Sequence, residues 1–153
     1  MTEYPGPAGM RALQALPQPP DPAAVLEIVR TMRGELAESM GIEITEFTPE
    51  RVTATMPVVG NRQPFGLLHG GASCALMETI GSWAGALHAG PDKQVVGIEL
   101  NASYLRGATS GVVTAVCTPV RRGRTLSTFL IEITDESGRP TATGRLTTLT
   151  KES

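Results

Sequence analysis

Aromatic residues are scarce: one Trp, two Tyr and three Phe make up 4% of a 153-residue chain. Any core must therefore rest on Val, Leu, Ile, Ala and Met. Cysteine is scarcer still. Cys74 and Cys117 stand far apart and form neither a CxxC pair nor a disulfide framework, which points to a reduced, cytoplasmic setting. A basic surplus is missing too. Lys and Arg number 13 against 15 Asp and Glu, and the one basic cluster is RRGR at 121–124, so nucleic acid is not an expected partner. No apolar run reaches the roughly 18 residues of a membrane span. The opening MTEYPGPAGM lacks the basic and apolar regions of a secretory signal. Two histidines are too few and too dispersed to build a metal site with the cysteines. Neither GxGxxG nor a Walker loop occurs.

What is present suits one domain of ordinary composition, 41% hydrophobic and 18% charged. Six of the twelve prolines fall in the first 22 residues, so residues 1–20 are expected to be a flexible arm and 21–153 the folded domain. A helix is predicted over 22–39, capped by Asp21 and ended by Gly41, with Val25, Leu26, Val29, Met32 and Leu36 at helical spacing. A hairpin follows around Thr48-Pro49-Glu50. A loop over 58–68 leads to a long helix over 69–89. Extended stretches are predicted at 94–106, 111–122, 125–135 and 140–150, the last two joined by a turn at Glu136-Ser137-Gly138-Arg139. Strands outnumber helices and follow one another by short turns. The fold class is thus α+β, with a largely antiparallel sheet and one long helix covering one of its faces.

The long helix carries the chemistry. Ala72, Leu76, Ile80, Trp83 and Leu87 form a stripe that is the natural core face. Away from it lie Gly71, Cys74, Gly81, Ser82 and Gly85, with Glu78 among them. Each helical Gly costs roughly 1 kcal/mol against Ala, so something is expected to pack closely on that side: a partner subunit or a ligand. One turn either side of Glu78 stand Cys74, Ala75, Gly81 and Ser82, none of them a cation. If the face is covered, this carboxylate is partly desolvated and becomes a stronger base; if not, it is an ordinary surface Glu. At the start of the helix, His69-Gly70-Gly71 is expected to present free backbone N–H groups that favour negative charge and would stabilise an acyl oxyanion. The plain alternative is a tight strand-to-helix turn. Glu78 lies about 10 Å further along the axis. GASCA at 71–75 lacks the last glycine of a GxSxG elbow and places Ser73 inside a helix, which argues against a serine hydrolase. Cys74 has no base beside it and reads as packing.

The segment QPFGLLHGGASCALMETIGS resembles the active-site segment of hotdog-fold acyl-CoA thioesterases. It is most like the 4-hydroxybenzoyl-CoA thioesterase type with a catalytic glutamate, in the phenylacetyl-CoA thioesterase-like group. Gln63, Gly66, the His69-Gly70-Gly71 turn and Glu78 stand at the family's spacing, and the likeness runs over about 40–150. It implies a long central helix wrapped by an antiparallel sheet of five to six strands, after an N-terminal helix, and hydrolysis of an acyl-CoA. It further implies Glu78 as nucleophile or general base, and Gly70, flanked by Gly71, as the donor polarising the thioester carbonyl. Gln63 is then an amide near the reacting group, Ser82 a hydroxyl holding water or substrate, and His69 a residue orienting the turn. Many relatives have Asp in place of Glu78 and Asn in place of Gln63.

By the same resemblance Arg106, Arg122, Arg124 and Thr125 are candidates for the phosphates of coenzyme A, although RRGR reads equally as a solvated turn, and Arg124 replaces a small hydroxyl residue of the 4-hydroxybenzoyl type. Phe65, Leu67 and Met77 are candidates for the acyl pocket or for core. Coenzyme A enters as part of the substrate, and no other cofactor is implied. The implied assembly is a homodimer or a dimer of dimers, a homotetramer, with sites at the subunit interface. A non-catalytic acyl-CoA binding or sensing domain and a hotdog dehydratase are the rival functions.

Overall fold

The computed structural model describes residues 6–17 and 20–152. Helices α1 (Gly6–Gln14), α2 (Pro22–Thr31) and α3 (Glu35–Ser39) precede the hairpin β1 (Glu43–Phe47) and β2 (Val52–Pro57). The long helix α4 (Gly70–Ala89) follows, then β3 (Lys93–Tyr104), β4 (Val112–Arg121), β5 (Leu126–Thr134) and β6 (Pro140–Glu152). All six strands join one antiparallel sheet in the order β1-β2-β4-β5-β6-β3, and α4 lies across one face against β2 to β6. This is the α+β arrangement that the resemblance implied, with six strands. No helix among the described residues is long and apolar enough to cross a membrane.

Two expectations for the N-terminal region are corrected. The stretch 1–20 is not simply a loose arm, because residues 6–14 are helical and bury Met10 and Leu13 in the main core. The prolines spare the interior of α1. Pro7 falls in its first turn, where a missing donor costs nothing, and the stretch 8–16 has none. Gly9 lets the helix approach closely, since a Cβ there would lie 2.2 Å from Met32 Sδ. Residues 1–5, 18 and 19 lie outside the described residues. The helix predicted over 22–39 is two helices. Met32 caps the first, and Gly34, in extended conformation, caps the second. Glu35 and Glu38 in the first turn of α3 favour a helix start there. Between the two helices Arg33 reaches Glu43 and the Ile42 carbonyl.

A third correction concerns the glycine side of α4. The expected partner or ligand is not what meets Gly81 and Gly85; the sheet of the same chain is. A Cβ at Gly81 would lie 2.5 Å from Leu146 Cδ2, and one at Gly85 would lie 2.9 Å from Val95 Cγ1. Leu76, Met77 and Ile80 are fully buried, whereas Trp83 and Leu87, expected in the core stripe, are only partly covered. The helix buries a face broader than one stripe because strands reach it from two directions. Trp83 instead meets Phe47 edge-on, with ring centroids 5.7 Å apart.

Cys117 is buried inside β4, and loss of hydration pushes its thiol up to about 12. It is therefore protonated and shielded at neutral pH. A colorimetric disulfide reagent is expected to titrate at most one thiol per native chain, Cys74, and two after unfolding in guanidinium. Fast labelling of both in the native state would contradict the burial.

Candidate active site

The first turn of α4 is hung from a braced loop. The Asn61 side chain donates to the Met40 and Pro57 carbonyls at 2.8 and 2.9 Å, while the Asn61 backbone carbonyl accepts from the His69 N–H at 2.9 Å. Leu68 N–H donates to Ala108 O at 2.7 Å. Between these anchors the chain reverses at Gly66, whose φ of +80° is open to glycine without strain. Gln63 Oε1 accepts from Phe65 N–H at 2.7 Å, which leaves the amide NH2 of Gln63 as its free, donating end.

Three free amides were expected at 69–71; the structure leaves one. His69 is the N-cap, and its Nδ1 accepts from Gly71 N–H at 2.8 Å, which places the ring proton on Nε2 in the neutral form. With His69 N–H on Asn61 and Gly71 N–H on the His69 ring, only the Gly70 N–H has no acceptor among the described residues. It opens on a cleft of about 380 Å³ lined by Gln63, Gly70, Ser73, Tyr104 and Arg106. Leu67, Leu68 and Leu105 supply its apolar wall.

Tyr104, at the end of β3, roofs this turn. Its hydroxyl donates to the Gly70 carbonyl at 3.2 Å and lies 3.0 Å from Cys74 Sγ. A Cβ at Gly70 would come within 2.9 Å of the Tyr104 ring, so glycine is what lets the phenol sit there. The bond to Cys74, with desolvation second, holds the phenol above its usual value, so it remains protonated at neutral pH. Sequence reading missed Tyr104, Ser73, Leu105 and Thr141 as cleft residues. Strand spacing placed Tyr104 at the end of an extended stretch, but nothing local says which helix end that stretch crosses.

Glu78 sits elsewhere on the same helix. Eight residues beyond Gly70 is about 12 Å along the axis, and Glu78 is not part of the cleft wall. Ser82 Oγ donates to Glu78 Oε1 at 2.8 Å. The carboxylate lies over Gly97 of β3, where a Cβ would fall 2.9 Å from Oε1. No cation pairs with it among the described residues. β3 is an edge strand, hydrogen-bonded only to β6, with Val96 and Ile98 exposed at 40% and 51%. The acid thus lies beside an open sheet edge.

One chain therefore assembles two groups, Gln63, Gly70 and Arg106 in the cleft, and Glu78 with Ser82 at the edge. Phe65, 89% exposed, sits on the adjoining loop without lining the cleft. Arg122, Arg124 and Thr125 belong to the β4–β5 turn. Arg122 reaches the Pro49 carbonyl, and His88 Nε2 lies 3.2 Å from Gly123 O. That turn is at the far end of α4, about 27 Å from Gly70 along the helix. Within one chain it does not meet Arg106. No group of three or more His, Cys, Asp or Glu that could hold a metal occurs among the described residues.

Comparison with known proteins identifies the family and the fold. The thioesterase superfamily pattern matches residues 65–142. The chain is 48% identical over 119 residues to the proofreading thioesterase EntH of Cronobacter turicensis, covering 77% of this chain and 87% of that one. It is 43% identical over 125 residues to the 1,4-dihydroxy-2-naphthoyl-CoA hydrolase of Escherichia coli, covering 80% and 92%. Among solved structures, a thioesterase of Haemophilus influenzae superimposes with a TM-score of 0.79 at 42% identity, covering 83% of this chain and 90% of that one.

Proposed function

Because the chain belongs to the thioesterase superfamily and is a thioester hydrolase, we propose that it cleaves acyl-CoA at a site shared by two copies, the acid of one facing the amide of the other. The observation that carries this is the separation just described. The free Gly70 N–H opens on a cleft that Glu78 does not reach, and Glu78 lies against an unpaired sheet edge. Pairing of two chains along β3 satisfies the open backbone groups of that edge, covers Val96 and Ile98, and carries each Glu78 toward the partner's surface. A homodimer, or a dimer of such dimers, follows.

In this reading the thioester carbonyl accepts from the Gly70 N–H at the positive end of α4. Gln63, through its free NH2, holds the acyl group in register. Glu78 of the other copy attacks the carbonyl carbon or draws a proton from the water that does; either role requires the ionised form, and Ser82 fixes the oxygen it uses. His69 keeps the turn in place and transfers no proton. Arg106 at the cleft mouth suits the phosphates of coenzyme A. Arg122, Arg124 and Thr125 suit them only if the far end of the partner's α4 comes near, which antiparallel pairing favours. No cofactor beyond the substrate's own coenzyme A takes part, and the setting is cytoplasmic.

Subunit mixing tests the shared site. Glu78→Gln and Gln63→Ala chains, each impaired alone, are refolded together. Half of the dimers are then mixed, and each holds one intact site, so hydrolysis of a panel of acyl-CoAs should recover to about a quarter of the native rate per chain. Absence of any recovery would put both lesions in the same site and overturn the arrangement.

A further inference from the structure

Resting on the reading of Gly70 as the carbonyl donor, we infer that Ser73 gives a second hydrogen bond to the thioester oxygen and is itself a catalytic residue. Ser73 stands one turn after Gly70 on α4, lines the same cleft, and is only 4% exposed. Its hydroxyl has no hydrogen-bond partner among the described residues, and yet no buried side-chain oxygen is sealed away unpaired. The Ser73 oxygen therefore faces the cleft. Thr141, the other buried hydroxyl of that wall, is already committed to the Ile133 carbonyl at 3.1 Å.

A ligand that fills the cleft shuts the Ser73 hydroxyl off from solvent, so it must offer the hydroxyl a polar atom in return. Leu67, Leu68 and Leu105 share the wall with it and offer no polar atom. The polar atom that every substrate of a thioester hydrolase brings to the Gly70 N–H is the carbonyl oxygen. Side chains on a helix lean toward its N-terminus, which directs Ser73 back toward Gly70. One turn is about 4.5 Å of rise for three residues, so an oxygen held at hydrogen-bond distance from the Gly70 nitrogen is also within reach of the hydroxyl.

Attack on the carbonyl carbon moves the C=O π pair onto that oxygen. The pair returns as the C–S bond breaks and sulfur departs with its bonding electrons. Ser73 keeps its proton throughout. Its bond strengthens as charge builds on the oxygen, so it lowers the barrier more than it tightens binding.

The test is Ser73→Ala assayed beside Glu78→Gln, on acyl-CoAs with and without an oxygen substituent on the acyl chain. The expected result is a fall in kcat of about 10- to 100-fold on every substrate, with KM within about twofold. The thermal midpoint should be unchanged, because the hydroxyl has no hydrogen bond among the described residues to lose. A hydroxyl serving only the fold would lower the midpoint, and that outcome overturns the inference. So does an unchanged kcat, or a loss confined to oxygen-substituted acyl groups, which would make Ser73 a reader of the substituent. If Glu78→Gln loses activity and Ser73→Ala does not, this inference alone fails. If Glu78→Gln remains active, the reading of the site fails and this inference with it.

Discussion

Replacing Glu78 by Gln is expected to lower acyl-CoA hydrolysis by at least about a hundredfold, the usual scale of a general base, while the affinity for acyl-CoA persists. The substitution keeps the shape of the side chain. The amide oxygen still accepts from Ser82 Oγ, and the side chain still fits over Gly97. Glu78 makes no ion pair among the described residues and is exposed in the single chain, so folding has little to lose. What disappears is the negative charge, and with it both the nucleophile and the base. Steady-state kinetics and calorimetric titration with a slowly hydrolysed acyl-CoA separate the two effects. Native turnover in the variant would remove Glu78 from the mechanism. Native turnover lost together with all binding would make the residue a substrate anchor.

Gly144→Val should damage the fold severely. Gly144 lies in β6 between Ile131 of β5 and Ala102 of β3. A Cβ there would come 2.4 Å from the Asn101 carbonyl oxygen and 2.6 Å from Met77 Sδ. Met77 is flexible and can give way, but the Asn101 carbonyl is backbone of the neighbouring strand and cannot retreat without breaking the β3–β6 ladder. A backbone clash of this kind falls at the upper end of overpacking costs, about 3 kcal/mol, a fall in Tm of about 10 °C for a domain of this size. Because β3 also carries Gly97 and Tyr104, the damage should reach both halves of the site. Gly34→Ala is the control: its φ is −80° and no atom lies within 4 Å of the added methyl. A Tm for Gly144→Val within a degree of the native value would show that β3 can shift freely.

Much of this molecule was legible residue by residue. The two-residue alternation of Val52–Pro57 and the apolar spacing of Leu76 and Ile80 report a sheet and a helix because those patterns are local consequences of backbone geometry. Glu78 drew notice because no cation stood one turn away, and the structure leaves it with Ser82, the one hydroxyl that helical spacing offered. The proline content of residues 1–20 hides the N-terminal helix, because those prolines flank the stretch 8–16 and do not interrupt it. The break at Gly34 escaped because a four-residue spacing of apolar positions continues across it.

By itself, the sequence determined the order of the elements from the first hairpin onward, the carboxylate on the long helix and the glycine-rich start of that helix, since each depends on neighbours within a turn or a strand. Tertiary structure alone decided that β6 and β3 occupy the glycine side of α4, that Tyr104 covers Gly70, and that a single amide remains free at the helix start. Those outcomes depend on contacts beyond one turn of helix or one strand, as where Tyr104 meets Gly70, Leu146 meets Gly81 and Asn61 meets His69. Their meeting is set by how a twisted sheet closes over a helix, a property of the whole chain that no window of sequence contains.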